Sequence, residues 1–269
     1  MPLNRKFGGS NGYGYTPDPK GHKVSSAHIL LGTSDTPKSA SLKDFVPSVL
    51  DQVNTSSCTG QAVKGAIITR MNKRGTPIDE PSASGIYRVG RAIDRLPNFD
   101  DSLPPLEDDG AMPNQIMRGI TEWGVPSEAS DPFNPKTIND EPTLWTLIDA
   151  SDCKLDGYYR VNWLDIQRRV NSLRLAIHLG YPPCFAIDVD NDFEEYLDGV
   201  LGAPNPNGIL GGHYMFGVAY DTTSTGHTII EFANSWGESW GVAGFGFGDE
   251  KFIGNMRDIY VMDVKLKEE

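Results

Sequence analysis

Residues 51–62 read Asp-Gln-Val-Asn-Thr-Ser-Ser-Cys-Thr-Gly-Gln-Ala, and this stretch decides the fold. Cys58 follows Ser56 and Ser57, and serine is a residue type that caps helices. The positions after Cys58 are apolar at helical spacing as far as Met71, and the pattern ends at Lys73-Arg74-Gly75, as helices commonly do. The sequence therefore predicts a helix with Cys58 at or near its N-terminus, where unpaired N–H groups and the helix dipole favour a thiolate.

Two downstream stretches decide between a reactive and a structural cysteine. Taken alone, Cys58 is more simply a small buried residue at the start of a core helix. However, His213 follows two glycines at the start of an apolar run, and Asn234 opens the run Asn-Ser-Trp-Gly-Glu-Ser-Trp-Gly-Val-Ala-Gly-Phe. Cys, then His, then Asn, widely separated in sequence, is the order of a Cys-His-Asn hydrolase.

These stretches together resemble the papain-like cysteine peptidases, and in character their prokaryotic members. The run from Asn234 to Phe245 is the most specific part of the match, and the six-residue spacing from Gln52 to Cys58 also agrees. The resemblance extends over residues 45–264. It implies an α+β, two-lobed fold, in which a helical lobe and an antiparallel β-barrel-like lobe enclose the active-site cleft.

The resemblance also implies the chemistry of the site. Cys58 is the nucleophile, held as a thiolate by the His213 imidazolium and the helix N-terminus, and Asn234 orients the histidine ring. The Gln52 side chain and the Cys58 backbone N–H form the oxyanion hole. The expected activity is that of a cysteine endopeptidase, which cleaves a protein or peptide substrate through a thioester acyl-enzyme. No metal site and no cofactor are expected.

Further site residues follow from the same resemblance. Trp236 is expected to shield the His–Asn pair from water. The substrate-binding candidates are Gly110, Met112, Tyr214 and Trp240. Tyr214 departs from the family pattern, because a small residue commonly borders the S2 pocket there. The acidic run at residues 107–109, just before Gly110, has the composition of a solvated surface.

The periodicity divides the chain into segments. Helical patterns cover residues 82–95, 110–124 and 163–179, and short β-branched or aromatic runs cover 183–189, 215–220, 228–232, 244–247 and 258–264. We therefore assign residues 45–269 to a peptidase domain, with a mainly helical lobe at 45–150 and a mainly β lobe at 151–269.

Residues 1–44 form a separate N-terminal arm in this interpretation. The segment is rich in Gly, Pro, Ser and Tyr, which favours an extended chain. Residues 1–40 hold five Lys/Arg and two Asp, a net charge of +3, whereas the whole chain carries −12. We hypothesise that the arm crosses the active site as an intramolecular inhibitor, and the alternative is a loose terminus or a strap on the outer surface.

Composition excludes several other classes. A net charge of −12 argues against nucleic-acid binding. No apolar run approaches the ~20 residues that span a bilayer. Cys58, Cys153 and Cys184 are odd in number and widely spaced, and no secretory signal is visible, which favours three free thiols in a reducing compartment. The sequence predicts a cytoplasmic protein, with export by a non-classical route left open.

Two other functions remain open from the sequence. The same triad serves acyl transfer or isopeptide cleavage, because a triad specifies the acyl-enzyme and not its acceptor. A catalytically silent papain-fold binding protein is the other alternative, although such proteins usually lose the Cys or the His, and this chain keeps both.

Overall fold

The computed structural model describes residues 36–93, 105–161 and 164–266. The first half of the described chain is mainly helical and contains α1 (Cys58–Arg74), α2 (Ala83–Ala92), α3 (Pro113–Glu122) and α4 (Leu144–Ala150). The second half contains the strands β2 (Cys153–Val161), β3 (Cys184–Val189), β4 (Gly211–Thr222), β5 (Thr228–Ala233), β6 (Phe245–Gly248) and β7 (Arg257–Leu266). It also holds α5 (Ile166–His178), α6 (Asn191–Glu194) and α7 (Glu250–Asn255), and one short strand, β1 (Ser39–Ser41), precedes α1.

Local sequence signals mark the helix ends. Gly75 ends α1 in the left-handed conformation, with φ of 67°. The Ser82 hydroxyl accepts a hydrogen bond from the Gly85 N–H at the start of α2, and the Asp165 carboxylate caps α5 in the same way. Pro113 opens α3, where its missing N–H costs no helical hydrogen bond.

The strands form one antiparallel sheet in the order β2-β7-β3-β4-β5-β6. Each run predicted as a strand overlaps one of the strands β3 to β7, and the runs 183–189 and 244–247 begin one residue before β3 and β6. In the described residues the sheet is an open path that ends at β2 and β6, so the barrel-like closure implied by the resemblance is not present. At these two ends, β2 packs against α3 of the helical lobe and β6 has four residues.

The helical lobe meets the sheet along α1 and β4. Gly65 of α1 lies so close to the Phe216 ring of β4 that an added Cβ would stand 2.4 Å from a ring carbon. Cys58, Tyr214 and Phe216 share the hydrophobic cluster between the lobes. The opposite face of the sheet packs on α5 and α7 in a second cluster, which includes Trp236 and other aromatic side chains.

The end of the predicted arm joins the sheet. In β1, Ser39 pairs with Asp221 of β4, and the Leu42 N–H donates to the Val218 carbonyl over 2.7 Å. Leu42 is buried. Residues 1–35, the greater part of the predicted arm, lie outside the described residues. Among the helices described here, none is both long enough and apolar enough to cross a bilayer.

Candidate active site

Cys58 is the first residue of α1, and its side chain is fully buried. The loop that leads to it is held by its own side chains. The Thr55 hydroxyl donates to the Gln52 carbonyl over 2.8 Å and lies 2.7 Å from the Ser57 hydroxyl. This loop therefore has a fixed conformation at the point where the chain enters the helix.

His213 is the third residue of β4 and pairs with Ile187 of β3. Its Nε2 lies 2.7 Å from Asn234 Oδ1. The Ser235 N–H also donates to Asn234 Oδ1 over 2.7 Å, which identifies that atom as the oxygen. An amide oxygen only accepts, so His213 Nε2 must carry the proton of this hydrogen bond.

The other ring nitrogen of His213, Nδ1, is the unprotonated nitrogen of the neutral ring. Nδ1 is buried and has no hydrogen-bond partner among the described residues. The Trp236 ring packs on the imidazole, with 4.7 Å between ring centroids, and Phe193 contacts it edge-on at 6.2 Å. Trp236 is buried, so these rings keep water away from the hydrogen bond to Asn234.

Burial controls the charge of His213. Removal of the ring from water lowers the pKa of His213 from 6.5 to about 4, and the hydrogen bond to Asn234 opposes this effect only in part. In the buried state described here, the imidazole is therefore neutral at neutral pH.

Gln52 forms two hydrogen bonds with Ser235, the residue that follows Asn234. Its backbone N–H donates to the Ser235 carbonyl over 2.9 Å, and its Oε1 accepts from the Ser235 hydroxyl over 2.8 Å. Its Nε2 donates to the Thr55 carbonyl over 2.7 Å. Since a side-chain amide nitrogen carries two hydrogens, one N–H of Gln52 remains for another acceptor.

Two sets of contacts attach α1 and the loop before it to the β lobe. The contact of Gly65 with Phe216 fixes the middle of α1 against β4. The bonds between Gln52 and Ser235 fix the loop before α1 beside Asn234 and His213. Cys58 lies between these two attachment points along the chain.

The four substrate-binding candidates differ in their surroundings. Gly110 is buried with φ of 97°, and Met112 is half-buried just before α3. Tyr214 is fully buried in the cluster that contains Cys58, and its hydroxyl donates to the Asp258 carbonyl over 3.1 Å. Trp240 is also buried, where its Nε1–H donates to the Phe193 carbonyl over 3.0 Å.

Sequence reasoning did not single out two residues beside the site. Ser235 is adjacent to Asn234 in the Asn-Ser-Trp run, so the sequence shows that it lies near the site. The sequence does not show that Ser235 forms hydrogen bonds with Gln52. Asp108 belongs to the acidic run that was expected to be solvated, yet its carboxylate accepts a hydrogen bond from the buried Ser56 N–H over 2.9 Å. No local pattern distinguishes such an inward carboxylate from its neighbours.

Comparisons with known proteins agree with this architecture. The sequence profile described as papain family cysteine protease matches residues 107–250, which include His213 and Asn234 and begin after Cys58. An uncharacterized peptidase C1-like protein of Acanthamoeba polyphaga mimivirus is 25% identical over 230 residues, which are 81% of this chain and 68% of that protein.

Solved structures show the same fold. Xylellain, a cysteine protease from Xylella fastidiosa, is 25% identical and superposes with a TM-score of 0.74 over 97% of this chain and 98% of its own. Digestive procathepsin L 3 from the larval midgut of Tenebrio molitor is 18% identical, with a TM-score of 0.66 over 96% of this chain and 76% of its own.

With more than half of the chain matched, and with a cysteine and a histidine–asparagine pair where two lobes meet, the chain belongs to the papain family of cysteine proteases. Its substrates are accordingly proteins or peptides.

Proposed function

We propose that the chain is an endopeptidase that uses Cys58, His213 and Asn234 as its catalytic triad. The observation that carries this proposal is the hydrogen bond from His213 Nε2 to Asn234 Oδ1. It reserves the buried Nδ1 for proton exchange with the thiol. The neutral amide of Asn234 orients the ring without adding a charge.

The reaction then proceeds in two halves. Nδ1 of His213 takes the Cys58 proton, and the thiolate attacks the carbonyl carbon of the scissile peptide bond. The remaining N–H of Gln52 and the Cys58 backbone N–H stabilise the oxyanion, at ~2.7–4 kcal/mol per donor. The protonated Nδ1 next gives its proton to the leaving amine, which produces a thioester on Cys58.

Hydrolysis completes the cycle. A water molecule gives a proton to His213 Nδ1 and attacks the thioester carbonyl, so that Cys58 leaves with its electron pair and recovers the proton. The residue roles match those implied by the resemblance. Acyl transfer, isopeptide cleavage and a silent binding function are not favoured, because the family and fold are those of cysteine proteases.

We further propose that residues 1–44 keep the enzyme latent and that residues 45–269 form the peptidase domain. The burial of Cys58, Gln52 and His213 supports a covered site. The neutral His213 that burial favours is not the imidazolium that a thiolate pair needs. Displacement of the arm would hydrate the site and permit the ion pair.

The attachment of the arm permits this route. Ser39 pairs with Asp221, eight residues along β4 from His213, which corresponds to about 26 Å. Thirty-five preceding residues in an extended conformation span more than about 100 Å, so the arm is long enough to return to the cleft. The excess of positive charge in residues 1–40 suits contact with an acidic body.

Tyr214 sets the expected specificity. Because a bulky, fully buried ring stands at the position that the resemblance assigns to the border of S2, we infer a shallow S2 pocket and a preference for small P2 residues. An internally quenched, unmodified peptide tests the endopeptidase function directly. Cleavage by the wild type after removal of residues 1–35, and none by a Cys58→Ala variant, is expected, and equal signals from both would refute the function.

A further inference from the structure

Asp108 is joined to the loop before the nucleophile by its side chain and its backbone. Its two carboxylate oxygens accept from the Ser56 N–H over 2.9 Å and 3.0 Å. Its carbonyl oxygen accepts from the Ser56 hydroxyl over 2.9 Å. Ser56 is fully buried and lies two residues before Cys58. The carboxylate therefore holds the chain immediately before the nucleophile.

Tyr87 extends this connection to Gly110. The Tyr87 hydroxyl donates to Asp108 Oδ1 over 3.0 Å and accepts from the Gly110 N–H over 3.0 Å. The Tyr87 ring is fully buried and belongs to α2, not to either loop. One carboxylate and one phenol thus link the backbone N–H groups of Ser56 and Gly110.

The surroundings favour an acceptor at this position. The Arg91 guanidinium lies 3.8 Å from the centre of the Tyr87 ring and donates to the Glu107 carbonyl. Burial raises the pKa of Asp108, and the Ser56 N–H, the Tyr87 hydroxyl and Arg91 all act in the opposite sense. Arg91 therefore supports the ionised form that accepts all of these hydrogen bonds.

We propose that Asp108 and Tyr87 are positioning residues, which hold the substrate-binding loop at Gly110 in register with the nucleophile loop at Ser56. The proposal rests on the proposed function, with Gly110 as the substrate-binding residue that the resemblance implies. A small displacement between the two loops then separates substrate binding from attack, and misplacement by 1 Å can cost about a hundredfold in rate.

Peptide-resolved amide hydrogen exchange on the full-length chain tests the connection itself. Asp108→Ala is expected to speed exchange in both loops, at residues 52–58 and at 107–112, because the Ser56 N–H loses its acceptor and the Tyr87 hydroxyl, which holds the Gly110 N–H, loses its own acceptor. Tyr87→Phe is expected to speed exchange mainly at 107–112. Asp109→Ala is the matched control, because Asp109 is the exposed neighbour in the same acidic run, and it should leave both loops unchanged.

Two alkylating probes, applied to chains without residues 1–35, test whether the connection between the two loops affects substrate binding and attack. Iodoacetamide reports the Cys58 nucleophile alone, whereas a peptidyl chloromethyl ketone must also bind along the Gly110 loop. The ratio of the peptidyl rate to the iodoacetamide rate is expected to fall about tenfold in Asp108→Ala and Tyr87→Phe relative to wild type. Asp108→Asn, which keeps one oxygen acceptor, should lie between wild type and Asp108→Ala.

The outcomes separate this proposal from the proposed function. Unchanged exchange at residues 52–58 in Asp108→Ala, or a rate ratio within twofold of wild type in both variants, would overturn the positioning role. A wild-type chain without residues 1–35 whose Cys58 reacts with neither probe would instead refute the enzyme function, and hydrogen exchange would still decide whether Asp108 joins the loops. Cys184 is fully buried, so its alkylation in a variant shows that the variant is misfolded. If Asp108→Ala is misfolded by this criterion, Asp108→Asn takes its place in both experiments.

Discussion

His213 Nε2 lies 2.7 Å from Asn234 Oδ1, and the same oxygen accepts the N–H of Ser235. This double acceptance fixes which nitrogen of the imidazole holds a proton. Nδ1 is consequently the atom that can exchange a proton with Cys58. The Asn234 amide thereby determines which nitrogen of His213 exchanges the proton in the proposed mechanism.

Asn234→Ala is expected to lower kcat/KM by about a hundredfold, because the imidazole loses the acceptor that fixes its orientation for acid–base transfer. The measurement is hydrolysis of an internally quenched peptide by the chain without residues 1–35. Asn255→Ala is the control, since the Asn255 side chain is exposed and donates to the Lys251 carbonyl of its own helix. A loss of less than threefold in Asn234→Ala would contradict the orienting role.

Gln52→Ala is expected to lower kcat about 10²–10³-fold with little change in KM, because its free N–H acts on the oxyanion and not on bound substrate. Ser235→Ala should cause a smaller loss, because it removes the hydroxyl that holds Gln52 Oε1 but leaves the backbone bond in place. An increase in KM with unchanged kcat in Gln52→Ala would assign Gln52 to substrate binding instead.

The stability of the full-length chain should fall as pH decreases from 6.5 to about 4. The folded pKa of His213 is about 4, below the ordinary value near 6.5, so the unfolded chain binds the extra proton first. The loss attributable to this group approaches about 3 kcal/mol at the acidic end of the window.

Urea unfolding across this pH range checks the prediction. His213→Gln should lose less stability than wild type between pH 6.5 and 4, whereas His227→Gln, at an exposed histidine, should behave as wild type. Parallel pH curves for wild type and His213→Gln would show that His213 is not buried in the neutral form.

Tyr214→Ala is expected to shift P2 preference toward large apolar residues, because it removes a bulky, buried ring from the position that the resemblance assigns to the border of S2. The measurement is the ratio of kcat/KM for peptides with Leu and Ala at P2, and the expected increase is about tenfold. Tyr214→Phe is the control, since it keeps the ring and removes the hydroxyl that donates to the Asp258 carbonyl. An unchanged ratio in Tyr214→Ala would place S2 elsewhere.

Short-range patterns predicted much of this architecture. The periodicity after Cys58 predicted α1, although Ser57 at its N-cap makes no side-chain capping hydrogen bond. The Gly-Gly step before an apolar run predicted the strand that carries His213. The β1 strand was not predicted, because its three residues are ordered by pairing with β4 at Asp221, which is far away in sequence. The seven-residue α4 was missed for a related reason, because so short a helix carries little periodic signal.

In the candidate site, too, local sequence patterns predicted some residues, whereas others depend on contacts between distant parts of the chain. Residue type and spacing singled out His213 and Asn234, whose 2.7 Å contact the structure then supplied. Asp108 was not distinguished from the exposed Asp109, because only tertiary contact with Ser56 makes one of two adjacent carboxylates inward-facing. Composition predicts that residues 107–109 are acidic and hydrated as a group. The contacts of Asp108 with Ser56 and with Tyr87 of α2 determine which carboxylate turns inward.

Alkylation of Cys58 by iodoacetamide at pH 5.5, followed by peptide mapping, tests the central claim most directly. The full-length chain is compared with one that lacks residues 1–35, a truncation that leaves β1 intact. An ordinary thiol with a pKa of ~8.5 reacts slowly at this pH. Burial raises the pKa of Cys153 to about 11, so this thiol provides an internal reference.

Rapid, selective labelling of Cys58 in the truncated chain, and slower labelling in the full-length chain, is the result that the proposal predicts. Equal and rapid labelling in both forms would retain the thiolate–imidazolium pair and refute latency. Labelling of Cys58 no faster than that of Cys153 in either form would contradict the claim that Cys58 and His213 form the catalytic pair.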